Sequence, residues 1–363
     1  MLLLHLNLRG HNAPWGTDGL PEWAKLGNDA LANITDSPGK DVTWLLLLAG
    51  LALLLFSGWL LVDGASNIAA HHQVPAAVIG LTLVAFGTSL PELAVNVSAI
   101  TQGSTDLSLG NIFGSNIANL GLVLGAAVAI RGFHVEGELM RWEIPLLLLV
   151  SAIAAVLAGD GILRGESPRL DRSDAIVLLL LFLMFIYINL TNVLIGRADD
   201  PLLEQASERA PHQFSKRHYW YVVAGIPGLW LGGELAVGSA TEVARAIGVS
   251  EAVIGLSVLA IGTSLPELVT SVTAALRRQT DLAIGNVIGS NLVNTLFILP
   301  VTALIQPLPI SPPAMLDIWT SLLFTAVMGI FAFSAKLRLS RVEGWLLLIS
   351  YFWYLSWRAT AFA

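Results

Sequence analysis

Residues 80–93 read Gly80-Leu81-Thr82-Leu83-Val84-Ala85-Phe86-Gly87-Thr88-Ser89-Leu90-Pro91-Glu92-Leu93, and residues 255–268 read Gly255-Leu256-Ser257-Val258-Leu259-Ala260-Ile261-Gly262-Thr263-Ser264-Leu265-Pro266-Glu267-Leu268. The likeness runs without a gap from 77–119 to 252–294 at a constant offset of 175, with more than half the positions identical. Beyond the Glu it takes in Thr105-Asp106-Leu107, Gly110-Asn111, Gly114-Ser115-Asn116 and Asn119. These return as Thr280-Asp281-Leu282, Gly285-Asn286, Gly289-Ser290-Asn291 and Asn294. Self-similarity at a fixed offset is the mark of a duplicated structural unit.

The surroundings of each copy are apolar. Of 363 residues, 55% are hydrophobic and 12% charged, against roughly 45–50% and about 25% in soluble domains. Apolar runs of about 20 residues, each long enough to cross some 30 Å of hydrocarbon as a helix, recur along the chain. About ten spans are predicted, near 43–63, 73–100, 106–130, 143–159, 174–195, 219–241, 250–276, 282–304, 316–334 and 343–360. Trp44, Trp142, Trp220, Trp319 and Trp345 fall at or near span starts, where an amphipathic ring suits the headgroup level. The fold class expected is therefore an all-α integral membrane protein.

Five spans separate equivalent points of the two copies, so the second enters the membrane from the opposite side. The predicted organisation is an N-terminal extension over 1–42, a first half over 43–196, a short polar linker over 197–218 and a second half over 219–363. In the extension, Trp23, Leu26, Ala30 and Ile34 recur at helical spacing, which fits either a short interfacial helix or a loose tail. The start lacks a basic region ahead of an apolar run, so a cleaved signal peptide is not expected. Arg131, Arg141, Arg197, Arg209, Lys216, Arg217, Arg277, Arg278, Lys336, Arg338 and Arg341 fall on one face of the membrane. Fewer cations lie opposite, which makes the first face the cytoplasmic one and places both termini outside.

Glu92 and Glu267 then lie inside the membrane. A carboxylate at such depth costs at least ~2.5–3.5 kcal/mol and needs compensation. The nearest Lys or Arg to either in sequence is Arg277, ten residues after Glu267. Pro91 and Pro266 each remove a backbone donor and clash with the carbonyl four residues earlier, at Gly87 and Gly262, which opens the helix there. Thr88 and Ser89 stand four and three residues before Glu92, on its helix face, as Thr263 and Ser264 do for Glu267. In the following spans Ser115 and Asn119, and Ser290 and Asn294, are also four apart. Two converging sets of hydroxyl, amide, carbonyl and carboxylate describe an all-oxygen cage, which a hard cation prefers.

Other features read as structural. Gly80, Gly87, Gly110 and Gly114 and their counterparts suit close helix packing. Asp106 and Asp281 are expected as helix N-caps, and His71 and His72 as residues of a loop between spans. Cysteine is absent, which excludes disulfides, thiolate metal sites and cysteine nucleophiles. The net charge of −7 carries no basic stripe, so nucleic acid is not an expected partner. Without a Gly-x-Ser-x-Gly elbow, a His-Glu-x-x-His motif or paired intramembrane Asp, an enzyme is not expected.

The paired Gly-Thr-Ser-Leu-Pro-Glu and Gly-Ser-Asn motifs resemble the α-repeats of the cation/calcium antiporter superfamily, in particular its prokaryotic sodium/calcium exchangers. The resemblance implies ten helices in two inverted five-helix halves and exchange of Ca²⁺ for Na⁺ by alternating access in a prokaryotic cytoplasmic membrane. It implies Glu92 and Glu267 as central Ca²⁺ ligands shared with Na⁺. It implies Thr88, Ser89, Ser115, Thr263, Ser264 and Ser290 as flanking Na⁺ ligands, with the carbonyls of Ala85 and Ala260, and Asn119 and Asn294 lining the middle. The partners are thus Ca²⁺ and Na⁺ as substrates and the lipid bilayer, with no resident cofactor. Potassium-dependent members carry Asp where this chain has Asn294, so potassium co-transport is not expected. Two ionised Glu are balanced by one Ca²⁺ or by two Na⁺. The same pair would also serve proton exchange, which stays open here as the alternative, and a channel is a remoter one.

Overall fold

A computed structural model describes residues 40–72, 74–134, 142–195, 215–246, 262–334 and 338–361. Its helices are α1 (Lys40–His72), α2 (Ala76–Thr88), α3 (Leu90–Thr101), α4 (Thr105–Ile130), α5 (Ile144–Arg164), α6 (Arg172–Ile195), α7 (Arg217–Ala246), α8 (Leu265–Leu276), α9 (Thr280–Ile305), α10 (Pro312–Ser334) and α11 (Arg341–Ala361). Among the described residues seven helices are long and apolar enough to cross a membrane. Taking α2 and α3, bent by 42° at one break, as a single span makes eight. The shorter α8, whose upstream neighbours lie outside the described residues, and the 21-residue α11 bring the crossings to the ten expected. Lipid-facing surface is apolar: on α1, Trp44, Leu45, Leu48, Leu55 and Phe56 are exposed.

Over the described residues the duplication seen in the sequence returns in the backbone. Helix α3 becomes α8 at the 175-residue offset, and α4 becomes α9. In both long helices the same turn widens to a π-helix, Asn119–Leu124 in α4 and Asn294–Ile298 in α9. Two short strand pairs tie the halves together. β1 (Phe133–His134), after α4, pairs antiparallel with β4 (Arg338–Leu339), before α11; β2 (Arg169–Leu170), before α6, pairs with β3 (Leu308–Pro309), after α9. The end of α4 therefore sits beside the start of α11, and the end of α9 beside the start of α6. Counting crossings between them puts these two junctions on opposite sides of the membrane, which is the inverted topology.

The repeat helices α4 and α9 are the most enclosed spans, 78% buried in each case. Close approach explains part of this. A Cβ on Gly80 would lie 2.7 Å from the carbonyl oxygen of Leu282, and Gly289 meets Ala85 and Leu81 at 2.7 Å, so α2 and α9 touch backbone to backbone. Small residues allow such contact where lipid offers no hydrophobic driving force. Helices α1 and α7 form the most extensive helix pair, again through glycine: Gly232 faces the Leu54 nitrogen and Gly225 the Ser57 carbonyl.

Several local expectations change. Helix α1 runs to His72, so His71 and His72 occupy its last turn rather than a loop, and His72 Nε2 lies 2.5 Å from the Tyr219 hydroxyl. At 33 and 30 residues, α1 and α7 outrun the predicted spans and, at 1.5 Å per residue, exceed the hydrocarbon thickness by about half. Asp106 and Asp281 lie in the first turns of their helices, where the dipole favours an acid. The N-cap positions belong to Ser104 and Gln279. Residues 1–39 of the extension, residue 196 and residues 197–214 of the linker lie outside the described residues.

Candidate cation site

The break between α2 and α3 falls at Ser89 (φ −86°, ψ 4°). Pro91 has no N–H to give the Gly87 carbonyl, so the chain steps and restarts as α3 with Pro91 in its first turn. Ser264 repeats this geometry ahead of α8, at φ −86° and ψ 5°. Each restarted helix carries its Glu in the first turn, where the positive end of the helix dipole favours a carboxylate. The carbonyl-rich end of α2 abuts the same point. One break thus offers an anion anchor and a cation-attracting edge side by side.

Both Glu side chains are enclosed, with Glu92 1% and Glu267 0% exposed. They lie close enough to interact electrostatically. Around them the two halves interleave. Ser89 Oγ donates to Glu267 Oε1 at 3.3 Å. Thr88 Oγ1 donates to Asn286 Oδ1 at 3.3 Å and lies 3.5 Å from Ser290 Oγ. Thr263 Oγ1 donates to Asn111 Oδ1 at 3.3 Å and lies 3.3 Å from Ser115 Oγ. Every one of these contacts joins the first repeat to the second.

What is left unpaired is mostly oxygen. Glu92 Oε1 and Oε2, Glu267 Oε2, Asn119 Oδ1, Asn294 Oδ1 and Ser264 Oγ are buried without a hydrogen-bond partner. A buried acceptor left so costs about 1–3 kcal/mol, and more if charged. No Lys or Arg is paired to either Glu in the described residues. Among the same residues no group of three or more His, Cys, Asp or Glu gathers, so the donor set is two carboxylates within a shell of neutral oxygens. That set suits a hard cation that enters and leaves, because two charges balance one divalent or two monovalent ions.

Of the residues singled out in the sequence, Glu92, Glu267, Thr88, Ser89, Ser115, Ser264, Ser290, Asn119 and Asn294 are all buried, and Thr263 is half-buried. The Ala85 carbonyl is already used twice, by Ser89 N–H at 3.0 Å and by Thr88 Oγ1 at 3.3 Å. Ala260 lies outside the described residues. The sequence reading assigned nothing to Asn111 and Asn286, whose Oδ1 atoms lie 3.3 Å from the Thr263 and Thr88 hydroxyls, the single Thr88 hydrogen being shared between Asn286 Oδ1 and the Ala85 carbonyl. It also passed over Asn96, which donates to the Glu92 carbonyl oxygen at 2.7 Å and accepts from Ser108 Oγ at 2.8 Å. The signal available for Asn111 and Asn286 was their identity across the repeat. For Asn96 there was none, since Ser271 occupies the equivalent position.

Comparison with known proteins bears on the family and the fold. The family model described as "Sodium/calcium exchanger protein" matches residues 42–191 and 217–360. The "Putative antiporter CaxA" of Alkalimonas amylolytica is 35% identical over 86% of this chain and 97% of its own. The "Inner membrane protein YrbG" of Escherichia coli is 37% identical over 74% of this chain and 82% of its own. A solved structure, the sodium/calcium exchanger from Methanococcus jannaschii, superposes with a TM-score of 0.74 at 30% identity, covering 88% of this chain and 99% of that one. The duplicated Glu-bearing breaks, the inverted halves and these matches together place the chain in the sodium/calcium exchanger family of multi-pass membrane antiporters.

Proposed function

We propose that this chain exchanges Ca²⁺ for Na⁺ across the membrane by alternating access at one site built on Glu92 and Glu267. The observation that carries the reading is that three of the four carboxylate oxygens are buried and unpartnered amid neutral oxygens. Such a pair is costly in an empty membrane core and is relieved by cation binding. One Ca²⁺ or two Na⁺ neutralise it equally, so the two loads compete and exchange is obligatory when the uncompensated site is too costly to reorient. Thr88, Ser89, Ser115, Thr263, Ser264 and Ser290 would supply hydroxyl oxygens, and Asn119 and Asn294 amide oxygens. Ala85 would join only by releasing the Thr88 hydroxyl.

The halves, 43–196 and 219–363, give alternating access its parts: an inverted pair has two related arrangements, one open to each side. Helices α1 and α7, packed chiefly against each other, are the natural moving element against the repeat helices. The chain acts as a transporter, without bond chemistry. The inner-membrane relative and the cation count support residence in a prokaryotic cytoplasmic membrane with both termini outside. Proton exchange, the alternative from the sequence, is not favoured by the family match.

The test is ⁴⁵Ca²⁺ uptake into proteoliposomes loaded with Na⁺, against choline-loaded vesicles at equal pH and against an imposed proton gradient. Uptake that needs internal Na⁺ is expected. Uptake that follows the proton gradient, or that needs no counter-ion, overturns the reading.

A further inference from the structure

Four asparagines cross the boundary between the repeats beside the carboxylate pair. Asn294 Nδ2 donates to Asn116 Oδ1 at 3.1 Å, and Asn116 Nδ2 donates onward to Thr295 Oγ1 at 3.0 Å. In the inverted counterpart Asn119 Nδ2 donates to Asn291 Oδ1 at 3.3 Å, but Asn291 Nδ2 has no partner. The reason is one residue: the position equivalent to Thr295 is Leu120, which offers no acceptor. All four asparagines are at most 3% exposed.

A primary amide is two-faced, with an acceptor oxygen on one side and two N–H donors on the other. Turned one way it is a cation ligand. Turned the other it presents hydrogens to the cation and repels it. Asn294 Oδ1 is buried and unpartnered while its nitrogen is occupied, so whatever holds the nitrogen decides which face the site meets. We infer that Asn116 is a positioning residue, which captures the Asn294 amide nitrogen and thereby presents Asn294 Oδ1 to the transported ion, with Thr295 completing the chain. Asn291 does the same for Asn119 through a longer bond and without a terminal acceptor. The inference rests on the reading above in which Asn294 faces the ion. It adds that the GSN asparagine of each repeat acts on the ligand of the opposite repeat, coupling the two halves at the site.

Partners that orient a metal ligand typically change affinity by about 10–100-fold when removed. The experiment is equilibrium ⁴⁵Ca²⁺ binding to the purified full chain in detergent for the wild type, Asn116→Ala, Asn294→Ala and the double variant. Asn116→Ala is expected to weaken binding about tenfold. In the Asn294→Ala background, with no amide left to orient, the same change should cost less than twofold. Equal penalties in both backgrounds would make Asn116 merely structural and overturn the inference, as would unchanged binding in Asn116→Ala. Unchanged binding in Asn294→Ala would instead remove the ligand role of Asn294 proposed above. Thr295→Val keeps both asparagines and removes only the acceptor. If Asn116→Ala does not fold, or Asn294→Ala binds no measurable Ca²⁺, this variant decides: about threefold weaker binding supports the inference and unchanged binding overturns it.

Discussion

The first and second repeats share backbone geometry to within a few degrees at the helix break, yet their supporting hydrogen bonds differ. In the first, Asn96 braces the Glu92 carbonyl and Ser108. In the second, Ser271 and Ala283 stand at the equivalent positions, and Ser271 Oγ instead accepts from Asn286 Nδ2 at 3.0 Å. Asn111, the counterpart of Asn286, is left with an unpartnered amide nitrogen. On the outer ends, Arg277 at the C-cap of α8 pairs with Asp63 of α1 at 2.8 Å and stacks over Trp59, whereas the first repeat has Gln102 there. Duplication thus preserved the carboxylates, hydroxyls and amides of the candidate site together with Asn111/Asn286 and Asn116/Asn291 beside them, and let the bonds at Asn96 and Arg277 diverge. Side chains packed where the two repeats meet are constrained from both sides, while a bracing bond within one repeat answers only to its own neighbours.

That contrast can be broken or sharpened by substitution. The largest effect belongs to the shared layer: Glu92→Gln and Glu267→Gln should each abolish Na⁺-dependent ⁴⁵Ca²⁺ uptake, a loss of at least about a hundredfold, while the protein still elutes as a folded species on size exclusion. If only one of the two mattered, the symmetry of the site would be broken. Gly285→Val comes next. Its side chain would meet the backbone of Ala77, and because main chain cannot rotate aside, a loss of about 3 kcal/mol or more is expected as reduced thermal stability and yield.

Asn96→Ser gives the first repeat the residue of the second. Two buried hydrogen bonds go, and a loss of about 1–3 kcal/mol in thermal or denaturant unfolding is expected, whereas Ser271→Ala, which removes one acceptor, should cost less. Arg277→Gln makes the second repeat resemble the first at α8's end. The pair is half-exposed, with side-chain exposures of 34% and 18%, so a change within about 1 kcal/mol that shrinks in high salt is expected. A larger, salt-independent loss would mean that the cation acts through its packing on Trp59.

How far the sequence led is visible in particular residues. The inverted architecture was legible because a run of identical positions separated by an odd number of spans has one topological consequence. Pro91 and Pro266 foretold the breaks because a missing N–H acts locally, whatever surrounds it. Span ends were less legible: α1 continues through His71 and His72, the latter received by the Tyr219 hydroxyl. Asp106 and Asp281 miss the cap by two residues, since first turn and cap both favour acids.

By itself the sequence determined that this chain lies in a membrane, that its halves oppose each other and that Glu92 and Glu267 are the anomalous charges. Those follow from composition, period and local covalent geometry. Only the tertiary structure decided which side chains meet: that Ser89 reaches Glu267 rather than Glu92, that Thr88 meets Asn286, and that Asn116 holds Asn294. Each of those pairs spans some 180 residues or more and crosses between repeats. Helical spacing fixes the face on which a side chain stands, but the partner of that face is set by how two helices from opposite halves pack.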